Sequence, residues 1–373
     1  MIEIREVSTK KEQKDFLQFP LNLYKNNPYF VPPLYGDEKS IFSDGYMYYD
    51  QAEAVYFNAY RDGKTVGRIS GILQKAANLK WGQSRVRFTR FDSIDDQEVA
   101  NALFEAVENW GRQKGMTEIV GPLGFSDLER EGLLIEGFDQ LCTFEEQYNY
   151  DYYQRLIENC GYGKDVDWVE RKIRIPQGGI DERIARLSGE LMKKYNLKFV
   201  GECSTSELLK RYVDQIFDLW DEAYDGIYGT VPFTDKVKTS MLAQFKLLID
   251  SRFITLIVDE NDRIVALGVV FPSMSKAVQK SGGRLTPSCL VKLLRDIRKP
   301  KIVDMALIGV TEEYKNKGIA LAMVSVFAER MQKYGVEYAE TNLMLEHNGP
   351  IQNLWKHFDT ELHKRRRCFI KKI

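Results

Sequence analysis

The stretch EEYKNKGIALAM, residues 312–323, decides the fold. Gly318 follows Lys315 and Lys317 and precedes apolar residues at helical spacing. A glycine-bearing turn between a strand and a helix leaves backbone N–H groups free, and the helix dipole adds positive charge there. Gly318 has no Cβ, so a ligand approaches the backbone closely. The stretch indicates a pyrophosphate-binding turn, although these letters taken alone favour an ordinary surface turn with two solvated lysines, and only the surrounding motifs favour the phosphate site.

The composition bounds the class of protein. A length of 373 residues, 44% of them hydrophobic and 29% charged, predicts a globular chain of about two domains. The net charge of −1 argues against a role in coating nucleic acid. The longest apolar run, 264–271, is too short to span a membrane, and the N-terminus lacks a secretory pattern, which predicts a cytoplasmic protein. Five scattered cysteines and three histidines without metal-ligand spacing predict neither disulfides nor a metal site.

Working outward from residues 312–323, the same order of elements occurs twice. Alternating residues flank turn signals at 61–64 and 260–262, which predicts two hairpins. A strand, a helix, a further strand, a further helix and a last alternating strand follow in each half. We therefore predict an α/β fold with a mixed sheet and two copies of one domain. The predicted bounds are 1–178 for the first copy, 179–196 for a linker helix and 197–373 for the second copy, because PQGGID at 176–181 interrupts the pattern.

The second copy carries motifs of a known superfamily. Its residues match the pattern L-x-x-V-x-P-x-Y-[RQ]-x-x-G-x-[GA] at Leu307, Val310, Thr311, Tyr314, Lys315, Gly318 and Ala320. A second pattern, N-x-x-A-x-x-L-Y-x-K, is matched in part at Asn348, Ile351, Leu354, Trp355, Lys356 and Phe358. These runs resemble motifs of the GNAT superfamily of acyl-CoA N-acyltransferases. The whole chain resembles an uncharacterised bacterial family of tandem GNAT proteins.

The resemblance implies an activity and a co-substrate. It implies transfer of an acyl group, acetyl by default, from acyl-CoA to an unidentified small-molecule or peptide amine. Acyl-CoA is expected in a notch where strands 304–310 and 337–345 splay apart. The implied CoA contacts are Ile308, Val310, Lys315, Asn316, Lys317, Gly318, Ile319, Ala320, Leu321, Asn348, Asn353 and Trp355.

The catalytic assignments start from the proton that the acceptor amine must lose. Asp304 is the first candidate for the base, because strand alternation predicts that it and Val310 share one side. Glu340 is the second candidate. For either residue, a solvated or ion-paired carboxylate without a catalytic role fits the sequence about as well as a base. Trp355 occupies the position of the usual tyrosine acid, and an indole does not transfer a proton at neutral pH. Either another group or water then supplies the proton; Tyr314 and His357 are the nearest candidates in the sequence, and His357 also fits an exposed helix residue.

The first copy differs at the corresponding turn. FDSIDDQEVANAL, 91–103, has no glycine and several acidic residues, so we predict that this copy binds no acyl-CoA. The apolar loops at 121–127 and 131–138 are expected either to line an acceptor pocket or to form a packed long loop.

Two basic segments remain. Residues 271–301 carry eight lysines and arginines against Asp296. This insertion is read as a solvated basic face, a lid over the CoA phosphates or a dock for an acidic acyl carrier protein. The run from Lys364 to Arg367 is expected to guard an edge strand.

The alternatives to an acetyltransferase are a non-catalytic acyl-CoA sensor and a transferase that uses longer acyl chains or an acyl carrier protein. A nucleic-acid binder that uses the basic insertion is the third alternative. The sequence does not indicate an oligomeric state.

Overall fold

The computed structural model of the chain describes residues 1–175, 178, 180–201, 203–245 and 249–373. Within these residues the strands are β1 (Glu3–Glu6), β2 (Ala52–Arg61), β3 (Lys64–Gln74), β4 (Arg85–Ser93), β5 (Glu118–Gly121), β6 (Leu133–Glu136), β7 (Gly163–Arg174), β8 (Lys198–Phe199), β9 (Ile254–Val258), β10 (Ile264–Pro272), β11 (Ile302–Val310), β12 (Tyr338–Thr341), β13 (Met344–Leu345) and β14 (Thr360–Lys372). The α-helices are α1 (Lys10–Leu23), α2 (Tyr35–Ser40), α3 (Lys75–Trp81), α4 (Gln97–Gln113), α5 (Tyr152–Asn159), α6 (Glu182–Lys194), α7 (Thr205–Tyr224), α8 (Asp235–Phe245), α9 (Ser275–Ser281), α10 (Pro287–Arg298), α11 (Ile319–Lys333) and α12 (Gly349–Leu354). Short 3-10 turns cover Ser251–Phe253, Glu312–Tyr314 and Trp355–His357.

The predicted repeat of elements is present, and the turn chemistry explains the two hairpins. β2 and β3 are joined through Asp62 and Gly63, which both have positive φ. β9 and β10 are joined through a turn in which Asp262 has a φ of 64°. Aspartate and glycine tolerate this left-handed conformation better than bulky residues do. The α/β mixed sheet predicted from the sequence is therefore confirmed.

The two copies share one continuous sheet. Its strand order is β1-β2-β3-β4-β5-β14-β7-β12-β11-β10-β9-β8. The last strand of the chain, β14, pairs with β5 of the first half, and β7 pairs with β12 of the second half. The last strand of each half therefore pairs with a strand of the other half. β14 and β7 also pair with each other at the centre of the sheet.

The predicted bounds 1–178, 179–196 and 197–373 stay a prediction. The linker helix corresponds to α6, Glu182–Lys194. Three residues of the predicted join, 176, 177 and 179, lie outside the described residues. The exchange of β7 and β14 means that a cut at these bounds would leave paired strands in different fragments.

The C-terminal basic run corrects an expectation. Residues Lys364 to Arg367 do not guard an edge, because β14 lies in the middle of the sheet. Lys364 and Arg366 are 1% and 0% exposed, and both bind Glu170 on the adjacent strand, with Nζ–Oε2 and Nε–Oε1 distances of 3.2 and 2.6 Å. Burial alone would raise the pKa of Glu170, but the two cations hold it below its ordinary value. The charges are paired inside the sheet where the two copies meet.

Removing the shared carboxylate of this cluster is expected to destabilise the fold. Glu170→Gln leaves Arg366 without its closest ion-pair partner in a fully buried position, and such a loss costs about 3 kcal/mol of unfolding free energy. Urea denaturation of the two proteins measures the difference. Glu361→Gln removes an exposed partner of Arg174 and is the matched control, with a change of less than about 0.5 kcal/mol. Equal losses in both variants would show that the buried cluster does not stabilise the sheet.

Candidate active site

Two strands of the second copy separate to form a notch. β11 and β12 pair in parallel from Ile302 and Tyr338 to Met305 and Thr341. Beyond Thr341 the chain leaves β11, and β13 pairs with β7 instead. A cavity of about 680 Å³ lies at this divergence and reaches from residues 314–321 to α7 and the first copy. The expected splay of the two strands is therefore present.

Most of the residues predicted to contact CoA line this one cavity. They are Ile308, Val310, Lys315, Asn316, Gly318, Ile319, Ala320, Leu321, Asn348, Asn353 and Trp355. Tyr314, the candidate acid, also lines it, whereas Lys317, Asp304 and Glu340 do not.

The edge of β11 presents backbone groups to the notch. The N–H of Thr311 donates to the carbonyl of Val265 on β10, so the polar groups of alternate residues face β10. Those of Ile308 and Val310 face the other side, toward the notch. The hydroxyl of Tyr224 on α7 donates to the Ile308 carbonyl at 3.4 Å, which confirms that direction. An extended amide-bearing ligand fits such an edge as an added strand.

The glycine turn leaves several amides free. The N–H groups of Lys315, Lys317 and Leu321 donate to Glu312, Tyr314 and Gly318 carbonyls, so only part of the predicted ring at 315–321 is available. In the described part of the chain, the N–H groups at 316, 318, 319 and 320 have no partner, and no side chain caps α11. These four amides form the turn's anion-binding surface.

Gly318 is required at its position for two reasons. Its φ of +79° lies in the left-handed region, which glycine adopts without strain. A Cβ built there would come within 2.8 Å of the Leu191 Cδ1 atom on α6. The linker helix therefore packs directly against the turn and supports it from behind.

The two lysines of the turn have different surroundings. Lys315 lines the cavity and forms an exposed ion pair with Glu312, at an Nζ–Oε2 distance of 2.8 Å. Lys317 lies over the rings of Tyr195 and Tyr314, 5.2 and 4.9 Å from their centroids. Its predicted CoA contact is not supported, because it packs on these rings outside the cavity.

The helix after β13 holds its polar groups in local bonds. The Asn348 side chain accepts from the Ile351 N–H, so it caps α12, and the Asn353 side chain accepts from Lys356. Trp355 is 2% exposed, and its indole N–H donates to the Met344 sulfur at 3.0 Å. Trp355 contributes an apolar surface to the cavity, and its N–H is already used.

A β-bulge corrects the geometry expected for Asp304. The pairing of β10 with β11 shifts between Val269 and Val270, so that Ala306 is an extra residue on β11. Before the bulge Val303 and Met305 pack on the α11 side, and after it Ile308 and Val310 do so. Asp304 and Val310 therefore lie on opposite sides of the strand, since one extra residue reverses the alternation.

The surroundings of Asp304 also differ from those of a solvent-facing base. Asp304 is 3% exposed, and burial, followed by the nearby Glu340 and Glu145 carboxylates, raises its pKa well above the ordinary value. The Ser273 hydroxyl acts in the opposite direction. These influences favour the protonated form of Asp304, and its role as a base stays a prediction.

Glu340 belongs to the buried ion cluster. Its Oε2 atom lies 2.9 Å from the Nζ of Lys364 and 3.7 Å from the Nε2 of His363. Glu170, Glu340 and His363 are close enough together to ligate a metal ion, but the ammonium of Lys364 also contacts both carboxylates. The prediction that the protein binds no metal stays untested.

Tyr314 keeps its proton in this site. It is 9% exposed and lines the cavity beside the glycine turn. Burial, together with the nearby Glu313 carboxylate, raises its pKa. A phenol with a raised pKa is a hydrogen-bond donor at neutral pH, which is the state a candidate acid needs.

The first copy supplies an acidic wall that sequence reasoning did not assign as catalytic. Asp127, Glu131 and Glu145 line the same cavity as the apolar residues of α7. Burial raises the pKa of Glu145 to about 7 and, as the largest influence, that of Asp127 to about 6. Glu131 is 4% exposed, its Oε1 atom has no hydrogen-bond partner among the described residues, and its pKa is raised well above the ordinary value, chiefly by burial.

The loops 121–127 and 131–138, expected either to line an acceptor pocket or to pack as a long loop, thus reach the cavity at Asp127 and Glu131. Tyr224 and Glu145 have no local sequence signal, because a distant helix and the other copy bring them to the notch. The only cue available in the sequence was the concentration of acidic residues in 127–146.

The basic insertion lies elsewhere. Residues 275–301 do not line the cavity, and the role of this insertion as a lid over the CoA phosphates stays a prediction. The Gln279 side chain donates to the carbonyls of Pro28 and Phe30, and the N–H of Tyr35 donates to Gly283. α9 is therefore fixed to the first copy.

No helix in the described part of the chain has the length and apolar character that crossing a membrane requires.

Comparisons with known proteins agree with this architecture. No family model matches the chain. A tandem GNAT protein from the clavulanic acid biosynthesis pathway superposes with a TM-score of 0.58 at 12% identity, covering 100% of this chain and 98% of that one. Protein YghO of Escherichia coli is 26% identical over 380 residues, or 99% of this chain and 95% of its own. A bacterial ceramide synthase of Caulobacter vibrioides is 26% identical over 387 residues, or 100% and 98%.

The fold and the notch define the class: this chain has the tandem GNAT fold, with a mixed sheet shared by two copies. The GNAT resemblance stated from the motifs is confirmed at the level of the fold. This chain shares its fold with the tandem GNAT protein above over nearly the whole of both chains, and it is similar in sequence over nearly its whole length to the Escherichia and Caulobacter proteins.

Proposed function

We propose that the protein transfers an acyl chain longer than acetyl from acyl-CoA to a primary amine. The observation that carries this proposal is the cavity of about 680 Å³, which runs from the glycine turn past the β11 edge into a largely apolar space along α7. Val213, Ile216 and Trp220 line that space. With the pyrophosphate at the turn and the pantetheine arm along β11, an acetyl group would not fill this apolar space, and the total volume falls in the middle of the range of ligand-enclosing pockets, about 300–1,000 Å³.

The roles follow from position. The free amides at the turn hold the pyrophosphate, and the Ile308 and Val310 backbone groups pair with the pantetheine arm. An N–H at this edge stabilises the oxyanion that forms on the thioester carbonyl. The amine attacks that carbon, the C–S bond breaks, and the thiolate leaves with a proton from Tyr314 or water.

The attacking amine first loses a proton, since its pKa is about 10. Glu145 is the proton acceptor in this proposal. It lines the cavity, forms no hydrogen bond or ion pair with any described residue, and has a pKa near the working pH. Asp127 and Glu131 extend the acidic wall that attracts a cationic acceptor.

The name of the Caulobacter relative supports a longer acyl chain, because ceramide is an N-acylated lipid. At 26% identity the name supports the proposal without carrying it. Acetyl transfer and a donor bound to an acyl carrier protein remain the alternatives for the donor.

A cavity-filling variant tests the acyl chain. Ile216→Trp blocks the apolar space along α7, and excluding about four methylenes at about 0.8 kcal/mol each predicts a loss of about 100-fold in affinity for hexadecanoyl-CoA. Affinity for acetyl-CoA, measured by the same calorimetry, is expected to stay within about three-fold. Asp214→Trp places the same side chain on the exposed side of α7 and is the matched control. Equal affinities of Ile216→Trp and wild type for hexadecanoyl-CoA would contradict the proposal.

The second candidate is an acyl-CoA sensor without transferase activity. Trp355 favours it, because the usual tyrosine acid is absent and the indole N–H is bonded to Met344. Incubating the protein with hexadecanoyl-CoA and a panel of primary amines separates the two. Release of free CoA thiol that depends on the amine establishes the transferase, whereas binding without thiol release establishes the sensor.

A further inference from the structure

The basic insertion carries an unusual concentration of exposed apolar side chains. Eight large hydrophobic residues are exposed in the described chain, and four of them lie within residues 285–294. They are Leu285, Leu290, Val291 and Leu294, with exposed fractions of 50, 37, 69 and 61%. Scattered exposed leucines are normal, but a cluster of this kind marks an interaction surface.

The helix α10, which carries three of these four residues, has two apolar faces. Cys289 and Leu293, one turn apart, are buried and pack in the core of the first copy. Leu290 and Leu294, also one turn apart, project from the other side of α10 beside Val291. The inner face already anchors the helix, so the outer apolar face is not needed for folding.

Basic residues surround this outer face. Lys276, Lys280, Arg298 and Lys299 are exposed and have no acidic partner within ion-pair distance among the described residues. Burial, followed by the neighbouring cations at Lys280, Arg295 and Lys276, lowers the pKa of Lys292. The insertion is a positively charged platform with an apolar centre.

We propose that α10 and its basic surroundings dock on an anionic phospholipid surface. Leucine and valine side chains enter the headgroup boundary, while the long lysine and arginine side chains reach the lipid phosphates. Docking by an acidic carrier protein would use the charge but gives less reason for four exposed apolar side chains. β10, whose residue Phe271 lines the cavity, leads along the chain into the insertion. Docking of α10 on a lipid surface does not depend on the acyl transfer proposed above.

Vesicle co-sedimentation of the full chain tests this surface. We expect binding to vesicles of phosphatidylcholine mixed with phosphatidylglycerol, weak binding to phosphatidylcholine alone, and loss of binding as salt is raised. The triple variant Leu290→Gln, Val291→Gln, Leu294→Gln is expected to lower the partition at least about ten-fold. Lys280→Gln with Arg298→Gln is expected to lower it by about five-fold for each charge removed.

Leu79→Gln is the matched control, because Leu79 is 86% exposed on α3, outside the insertion, and its replacement should leave the partition unchanged. The melting temperature of each variant shows whether it is folded. Equal sedimentation with both kinds of vesicle, or no sedimentation with either, would overturn the proposal. Binding of an acidic acyl carrier protein that the triple variant loses, without any vesicle binding, would also overturn it and assign the surface to a protein partner.

Discussion

Replacing Gly318 by aspartate is expected to lower the affinity for acyl-CoA by about 100-fold or more. The new carboxylate would lie at the free amides of residues 318–320, where the diphosphate is proposed to bind. Two like charges about 4 Å apart repel by about 4 kcal/mol at a surface dielectric, and solvent ions reduce this figure. The carboxylate would also accept hydrogen bonds from the amides that the ligand needs.

Gly318→Asn is the control that isolates charge from strain. Asparagine has nearly the same size, adopts the left-handed region about as readily as aspartate, and brings the same Cβ toward Leu191. We expect Gly318→Asn to lose less than about ten-fold in affinity by calorimetry with acetyl-CoA and hexadecanoyl-CoA. Equal losses in the two variants would mean that packing against α6, and not phosphate binding, explains the glycine.

This turn was predictable because its signal is local. The glycine, the lysines and the apolar helix that follows are consecutive, so a turn that leads into a helix is predicted directly from the letters. The hairpins at 61–64 and 260–262 were predictable for the same reason.

What the sequence did not indicate depends on long-range pairing. Nothing in residues 360–372 distinguishes an edge strand from a central one, and only the partner strands β5 and β7 place Lys364 inside the sheet. The bulge at Ala306 is a single-residue event, yet it moves Asp304 to the opposite side from Val310. An alternation argument across six residues has no means to detect it.

The candidate base shows the same limit. Glu145 lies on a loop of the first copy, about 160 residues before β11. Its raised pKa comes entirely from burial in the assembled cavity, so no property of its neighbours in sequence marks it. The exchange of β7 and β14 brings the two copies together and thereby assembles the cavity from both.

Replacing Glu145 by glutamine is expected to lower kcat by about 100-fold to 10,000-fold, the range for loss of a positioned general base. The assay uses hexadecanoyl-CoA and an amine that wild type acylates. Because the carboxylate must be unprotonated to accept the proton, wild-type kcat should fall about ten-fold per pH unit below about 7 and level off above it. The variant should lose this inflection.

Stability separates a catalytic loss from misfolding. The pKa of Glu145 is raised from 4.5 to about 7 in the folded state, so the folded protein holds a proton that the unfolded chain has lost between these values. Folding stability from this group is therefore greatest below pH 4.5 and falls as the pH rises to about 7. Glutamine does not titrate, so Glu145→Gln removes this pH-dependent fall in folding stability. The variant should be at least as stable as wild type at pH 8.

Asp304→Asn decides between Asp304 and Glu145 as the base. Asparagine imitates the protonated carboxyl that burial favours at this position, so we expect kcat within about three-fold of wild type and the same pH profile. If Asp304→Asn instead abolishes turnover while keeping acyl-CoA binding, and Glu145→Gln keeps the wild-type rate, the base is on β11 and the first copy does not take part in proton transfer. A loss confined to Glu145→Gln would mean that the catalytic centre is complete only when both copies contribute to it.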